Sequence, residues 1–420
     1  MRDSGTNPGP LSGLRVVEMG QLIAGPFCGQ LLADFGAEVI KIEPPVAGDP
    51  MREWGREKPH GQSLWFPVIG RGKKSVTLDL RGPEGQRIAR DLIARSDIVV
   101  ENFRPGTMER WGLGYDDLSA LNPGLIMVRV TGFGQDGPYS QRAGYGSIGE
   151  AFGGMRYVVG DPSGPPSRVG FSIGDTLAAT FACLGALVAL HDRERTGRGQ
   201  VVDSAIYEAV LATTENLVTE YARGGYIRER SGPTLPNIAP SNVYPTRDGV
   251  PILIAANQDT VFRRLCEAMG RPDLAEHPDY ATHTARGQRQ KVLDDLIAEW
   301  TATQDSDDLE RRMIDHGVPA GRILRAPEML ADPHYAAREA IIRMHHPRLG
   351  ELAMQNVAPK LSRTPGRVRA PAPELGDHNE DVLAGLLGLA REQLQRLAEA
   401  GVISGAPPAT RAAAPTTAGT

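Results

Sequence analysis

The chain has 420 residues, which is enough for two domains and a large buried core. Hydrophobic residues make up 40% and charged residues 23% of it, as is typical of soluble globular proteins, and the net charge of −5 gives no general attraction to nucleic acid or anionic membranes. Three cysteines without metal-ligand spacing, an N-terminus without the apolar core of a signal peptide, and an apolar run (177–190) too short to span a bilayer predict a cytoplasmic protein.

The first half of the chain predicts a large α/β domain over 13–222, after a flexible lead at 1–12. A strand at 14–19, a helix that starts near Pro26, and a strand at 37–43 form a βαβ unit, which implies parallel pairing. Four more strands are predicted, at 74–80, 97–103, 125–130 and 201–205. Strands that alternate with helices indicate a doubly wound sheet, in which ligands bind at the loops after the strand carboxyl ends. Those loops are 20–25, 102–106 and 131–147.

The second half predicts a smaller domain and a return to the first. Residues 223–240 are rich in Gly, Pro, Arg and Ser, which is typical of a linker. A hairpin around Asp248-Gly249 and three helical stretches indicate a small α+β domain over 241–323. A return segment to the large domain follows at 324–400, and the composition of 401–420 predicts a disordered tail.

The most informative carboxylate of the chain is Asp175. It stands where the short extended segment 168–174 turns into an Ala- and Leu-rich run typical of a buried helix. Gly174 before it removes side-chain bulk, so that another molecule can approach closely. Taken alone, the pattern favours a plain helix N-cap, in which the carboxylate accepts backbone N–H bonds.

Seven short motifs, in order and spacing, give the chain a resemblance to a known family. They are Ala24-Gly25-Pro26, the segment 36–43 (GAEVIKIE), the segment 73–79 (KKSVTLD), the segment 100–106 (VENFRPG), Gly174-Asp175, the segment 196–200 (TGRGQ) and the segment 375–378 (LGDH). Over roughly residues 11–390 the chain resembles class III CoA-transferases of the CaiB/BaiF type, which include formyl-CoA and L-carnitine CoA-transferases.

The resemblance implies an enzyme that moves CoA from an acyl-CoA thioester to a free carboxylic acid. It implies that Asp175 is the nucleophile, that aspartyl anhydride and aspartyl-CoA thioester intermediates form, and that CoA is a substrate, with no prosthetic group needed. It also implies a Rossmann-like large domain built from both ends of the chain, and an interlocked homodimer.

The same resemblance suggests a groove for CoA. Its expected residues are Leu22, Ala24, Leu78, Arg81, Asn102, Phe103, Arg110 and Arg142. CoA needs cations for its phosphates and an apolar face for adenine, which arginines and Phe103 supply. The alternative for each arginine is a solvated surface charge, and for Phe103 it is core packing.

Four positions depart from the formyl-transferring members. Ile23 replaces a polar residue, Gly146 replaces an acidic residue, Pro44 replaces a basic residue, and the segment 236–240 stands where those members have a run of glycines. These departures argue against a formyl/oxalate enzyme and leave the acyl group open, with a dicarboxylate such as succinate as the suggested donor acid.

Three other functions compete with CoA transfer. An α-methylacyl-CoA racemase of the same fold needs an acid/base pair, and its relatives carry His-Asp where this chain has Tyr145-Gly146. An NAD-dependent oxidoreductase needs a glycine fingerprint after the first strand, but the glycines of 20–25 have the wrong spacing. A non-catalytic CoA-binding homologue is compatible with the sequence, although the intact Gly174-Asp175 pair favours retained chemistry.

Overall fold

A computed structural model describes residues 8–404, and these divide into two compact units. The first unit comprises 8–155, Gly170–Asn216 and 339–404, and the second comprises Arg156–Val169 and Leu217–Arg338. The predicted small domain, 241–323, lies within the second unit. The predicted return segment starts at 324, whereas the chain rejoins the first unit at Glu339.

A six-stranded parallel sheet forms the centre of the first unit. Its strands are β1 (Arg15–Glu18), β2 (Glu38–Glu43), β3 (Lys73–Thr77), β4 (Ile98–Glu101), β5 (Ile126–Thr131) and β6 (Val201–Ala205). Their spatial order is β3-β2-β1-β4-β5-β6, and every neighbouring pair is parallel. The predicted α/β class with a parallel sheet is therefore confirmed. Strand order reverses between β1 and β4, and a crevice for ligands opens at such a point.

Helices cover both faces of this sheet and connect its strands. In the first unit they are α1 (Ala24–Asp34), α2 (Phe66–Ile69), α3 (Pro83–Ile93), α4 (Thr107–Arg110), α5 (Tyr115–Leu121), α6 (Gly146–Phe152), α7 (Met155–Val158, which crosses into the second unit), α8 (Ile173–Thr196) and α9 (Ile206–Leu211). Short 3₁₀ turns lie at Pro50–Arg52 and Pro59–Gly61, and a π-helical turn lies at Asp381–Leu386.

Side chains alternate along the central strands and build two apolar layers. Ile98 and Val100 of β4 face the layer that contains α1, α8 and α9, and Val99 between them faces the opposite layer. The opposite layer contains α3, α5 and residues of the π-helical turn. Because both faces are covered, β1 and β4 are apolar at their centres, as parallel strands usually are.

The second unit is a mixture of short strands and helices. Its helices are α10 (Leu217–Gly224), α11 (Asp259–Ala268), α12 (Asp273–Glu276), α13 (His283–Gln288), α14 (Gln290–Thr301), α15 (Ser306–Asp315), α16 (Ala326–Ala331) and α17 (Pro333–Ala337). Its strands are β7 (Ser241–Tyr244), β8 (Ile252–Ala255) and β9 (Ala320–Arg322), all antiparallel in the order β7-β8-β9. Gly249, with φ of 77°, lies in the turn between β7 and β8, as the Asp-Gly pattern predicts.

The remaining elements belong to the first unit. They are the hairpin of β10 (Ile341–His346) and β11 (Gly350–Gln355), and the helix α18 (Arg391–Glu399).

Two helices differ from the expected bounds. The helix predicted to run from the 201–205 strand to about 222 is interrupted between α9 and α10, where Thr213 and Thr214 bond back to carbonyls of α9 and Glu215 takes a positive φ of 55°. α8 has 24 residues, with mean hydropathy 1.8 in its most apolar window. By length and composition alone α8 therefore passes as a membrane span, as the core helix of a soluble protein also can, whereas the sequence predicted a run too short to span.

The described residues at both chain ends make contacts with the rest of the first unit. In the predicted flexible lead, Pro8 O accepts a bond from Arg369 and the amide of Leu11 donates to Phe35 O. In the predicted disordered tail, Ile403 is buried and Val402 O accepts from Asp79 N. Leu11 packs against the core layer of α1 and α8, and Val402 and Ile403 pack against the opposite layer. The flexible lead and the disordered tail stay predictions. Residues 1–7 and 405–420 lie outside the described residues.

Candidate active site

A groove of about 420 Å³ lies at the carboxyl ends of four strands. It is lined by the residues that follow β1 to β4, together with Trp111 and Gly401. Three residues predicted to bind CoA, Leu78, Arg81 and Phe103, meet here. The groove lies beside the point where strand order reverses, which is where the doubly wound topology predicts a ligand.

The groove has an aromatic wall and a charged rim. Phe103 is half-buried and meets Trp111 edge to face, with ring centroids 5.0 Å apart. Arg81 is exposed and makes a bidentate pair with Asp79 at 2.8 Å and 3.1 Å. An apolar wall with a cation at its rim suits a heterocycle that carries phosphate groups. Trp111 was not predicted, because a single aromatic residue after a short helix has no distinguishing pattern in the sequence.

Asn102 is committed to the first βα loop. Its Oδ1 accepts from Gln21 N at 2.9 Å, and its Nδ2 donates to Gln21 O at 2.8 Å, so both ends of the side-chain amide are engaged by one residue. The Cβ that a side chain would add at Gly20 would lie 3.1 Å from Asn102 Oδ1. Glycine at position 20 therefore lets Asn102 enter the loop, and Asn102 acts on the groove through the backbone.

A cluster of buried charged side chains also contacts the first βα loop. Lys41 Nζ lies 3.0 Å from Glu18 Oε1 and 2.7 Å from Asp49 Oδ2, and it donates to Gly20 O at 2.9 Å. Burial alone would lower the pKa of Lys41, but the charges of Glu18 and Asp49 outweigh it and raise that pKa. Lys41 is therefore a fixed cation, and Glu18 and Asp49 together balance the buried charges of Lys41 and of Lys73, whose Nζ lies 2.6 Å from Glu18 Oε2.

Leu22 sits in a strained conformation within this loop. Its φ of 64° is in the left-handed region, which costs energy for a residue with a side chain. Asp49 Oδ1 accepts from Leu22 N at 3.1 Å and thereby holds the conformation. The Leu22 side chain packs against the small cluster that contains Ile23 and Met51. Neither the strain nor the support from Asp49 has a signature in the sequence.

Asp175 occupies the first turn of α8. The helix begins two residues before it, and Ser172 is the N-cap, so Asp175 is not the N-cap that its sequence position allowed. α8 runs back across the sheet to β6, which places its N-terminus at the carboxyl edge. The groove and Asp175 are therefore at the same edge of the sheet.

Gly146 makes room for the carboxylate of Asp175. A Cβ at position 146 would lie 2.4 Å from Asp175 Oδ2 and 2.9 Å from Oδ1, which is inside van der Waals contact. An acidic side chain here, as the resemblance leads one to expect, would collide with this arrangement. The Gly146 departure thus has a physical reason in this chain.

The other predicted site residues lie elsewhere. Arg142 stacks on the ring of Tyr139, with its guanidinium carbon 3.5 Å from the centroid. Arg110 is exposed and donates to Thr107 Oγ1. Ala24 begins α1 and its side chain is buried in the core. These three side chains are absent from the lining of the groove.

The chain is similar to proteins of known family and function. The family model described as CoA-transferase family III matches residues 11–379. A succinyl-CoA–D-citramalate CoA-transferase from Chloroflexus aurantiacus is 60% identical over 390 residues, which is 93% of this chain and 97% of that protein. The beta subunit of a succinyl-CoA–L-malate CoA-transferase from the same organism is 41% identical, over 96% of this chain and 100% of that protein.

Two solved structures superpose closely on this chain. A CaiB/BaiF family protein from Brucella suis superposes with a TM-score of 0.80 at 34% identity, covering 90% of this chain and 99% of that one. Rv3272 from M. tuberculosis superposes with a TM-score of 0.79 at 30% identity, covering 89% of this chain and 99% of that one.

Proposed function

Because the chain belongs to CoA-transferase family III, an enzyme family that acts on CoA thioesters, we propose that Asp175 carries the transfer and that the groove beside β1 and β4 holds CoA. The enzyme moves CoA from an acyl-CoA thioester to a free carboxylic acid, as the predicted function states. The observation that carries the proposal is the carboxylate of Asp175, seated against Gly146 at the carboxyl edge of the sheet.

The proposed reaction keeps the thioester energy in covalent intermediates. Asp175 attacks the thioester carbonyl, the C–S bond breaks, and an aspartyl anhydride and CoA thiolate form. The thiolate then attacks the aspartyl carbonyl, which releases the donor acid and leaves an aspartyl-CoA thioester. The acceptor carboxylate repeats these steps in reverse and restores Asp175. No prosthetic group is required by this sequence of steps.

The first turn of a helix is a suitable place for this nucleophile. The positive end of the helix dipole at the start of α8 favours negative charge on Asp175 and on the oxyanion that forms as its carbonyl is attacked. The absence of a side chain at position 146 leaves one side of the carboxylate against backbone, which shields it from water that would hydrolyse an anhydride.

For the substrates, we propose succinyl-CoA as donor and a hydroxylated dicarboxylic acid of the citramalate or malate type as acceptor. Support comes from the names of the relatives at 60% and 41% identity. Ile23, which stands where the formyl-transferring members have a polar residue, also argues against a formyl donor.

Intact-protein mass spectrometry tests the proposal. Wild-type protein incubated with succinyl-CoA should gain a mass shift that hydroxylamine converts to a hydroxamate at Asp175. Asp175→Ala should bind CoA and form no adduct, while Asp192→Ala, at the far end of α8, should behave as wild type. An adduct in Asp175→Ala would overturn the assignment. Solvent deuterium entering the α-carbon of a branched acyl-CoA would instead indicate a racemase.

We further propose a homodimer, of the interlocked kind that the resemblance implies. Support comes from an apolar stripe on α8, formed by Phe181, Leu184 and Val188, that is exposed in the single chain. Exposed apolar residues at helical spacing are typical of a surface that another chain covers.

The finer domain assignment is also part of the proposal. It consists of a Rossmann-like large domain built from both ends of the chain, and a smaller α+β domain. The two compact units support it.

A cytoplasmic location is supported by three free, buried cysteines.

A further inference from the structure

Glu150 is a buried carboxylate that the proposed steps do not use. It belongs to α6 and is 1% exposed. Gly146, four residues earlier, lies on the same face of that helix, because residues four apart are neighbours on a helix surface. This face of α6, defined by Gly146 and Glu150, packs against the first turn of α8.

The two helices approach each other at Gly174. A Cβ at that position would lie 3.0 Å from Glu150 Cγ and 3.0 Å from Gly146 O. The Glu150 carboxylate oxygen Oε1 accepts from Gly174 N at 3.4 Å. Glu150 therefore accepts a hydrogen bond from the residue directly before Asp175, at a place where the two helices leave no room for a side chain on residue 174.

The first turn of α8 has no cap from its own N-terminal residue. Ser172 makes no side-chain cap hydrogen bond to the helix. The first N–H groups of a helix have no partner inside the helix, and a buried one must be satisfied from elsewhere. Glu150 supplies that acceptor to Gly174 from a neighbouring helix.

We propose that Glu150 is a positioning residue, which fixes the first turn of α8 through Gly174 and so sets the direction of the Asp175 carboxylate. This inference rests on the proposed role of Asp175. A displacement of about 1 Å at a reacting group costs on the order of 100-fold in rate, so a lost anchor one residue from the nucleophile should lower kcat strongly. CoA affinity should change little, because residues at the ends of β1 to β4 line the groove, and residues of α6 and α8 do not.

Two variants of similar size separate the anchor from the packing. Glu150→Gln keeps an oxygen that accepts from Gly174 N, and Glu150→Met fills the same space without an acceptor. We expect Glu150→Gln to stay within about threefold of wild-type kcat and Glu150→Met to lose on the order of 100-fold. The KM for acyl-CoA should stay within about threefold in both. Glu194→Gln, on the exposed end of α8, serves as the control and should match wild type.

The outcomes distinguish this inference from the proposed function. Adduct formation at Asp175 in the wild-type protein tests the function, and the ratio of Glu150→Met to Glu150→Gln tests the positioning role. Equal kcat in the two variants, or a joint loss of kcat and CoA affinity in Glu150→Met, would overturn the positioning role. If Glu150→Met does not fold, Glu150→Asp, which withdraws the carboxylate by one methylene, takes its place in the same comparison.

Discussion

A methyl group added at position 146 would enter the space that the Asp175 carboxylate occupies, at 2.4 Å from Oδ2. We expect Gly146→Ala to turn that carboxylate away and to lower kcat on the order of 100-fold, with CoA affinity nearly unchanged. Steady-state kinetics and isothermal titration with CoA measure the two effects. Gly224→Ala is the matched control, since a Cβ there meets nothing within 4 Å. Equal activity of the two variants would contradict the tight fit.

At this scale the sequence predicts some contacts and misses others for physical reasons. The local pattern singles out Asp175 as a carboxylate at the start of a buried helix, but only the family resemblance implies that it is the nucleophile. The partners Gly146 and Glu150 could not, because they reach the site through the packing of α6 on α8. The prediction that Asn102 contacts CoA remains a prediction, and the structure shows that its amide is engaged by Gln21.

At the scale of elements, the first βα loop is held by Lys41 of β2 and by Asn102, which follows β4. Without these side chains the loop should not keep its conformation. Asn102→Ala removes both bonds to Gln21, and we expect the KM for acyl-CoA to rise about tenfold with a smaller effect on kcat. Asn122→Ala is the control, because Asn122 also bonds to backbone but lies before β5, at the opposite edge of the sheet. A similar KM in both variants would show that the loop does not depend on Asn102.

Most helices and strands could be predicted from the sequence, because the βαβ arrangement follows from apolar strands that alternate with helix signals. The strand order β3-β2-β1-β4-β5-β6 required the structure, since periodicity does not say which strands become neighbours. The break between α9 and α10 was missed because the hydroxyls of Thr213 and Thr214 stop the helix through local bonds that leave its apolar spacing intact.

At the scale of the molecule, the buried Glu43 links stability to pH. Burial would raise its pKa, but Arg52 and Lys41 outweigh this and hold the pKa at about 2, against 4.5 in an ordinary glutamate. A lowered pKa contributes stability that is present above about pH 4.5 and is lost as pH falls toward 2. The shift corresponds to about 3 kcal/mol. Acid unfolding followed between pH 7 and 2 should show this loss.

Removal of Arg52 should move that acid transition. Arg52 Nε donates to Glu43 Oε2 at 2.7 Å, so Arg52→Leu raises the pKa of Glu43 and starts the loss of stability at a higher pH. Arg87→Leu breaks only exposed surface pairs on α3 and should leave the transition near that of the wild type. Coincident transitions for the two variants would contradict a stabilising role for the Arg52–Glu43 pair.

The proposed homodimer gives a prediction for the whole assembly. Leu184→Glu with Val188→Glu places two charges on the exposed stripe of α8, and we expect the protein to sediment as a monomer, because buried unpaired charges oppose association. Leu121→Glu changes an equally exposed leucine at the end of α5 and should sediment as wild type. A dimer in the α8 double variant would remove this surface from the interface.

The hydrogen bonds that hold Gln21 and Leu22 have a consequence for the free energy with which the groove can bind a ligand. Lys41, Asp49 and Asn102 fix this backbone by hydrogen bonds within the protein, so a ligand is not needed to order the loop. If the groove holds CoA as proposed, contact energy that a mobile loop would consume in ordering itself is instead available to hold the ligand. The same rigid surface would then serve every stage of the proposed cycle, in which CoA stays near one carboxylate while the acids exchange.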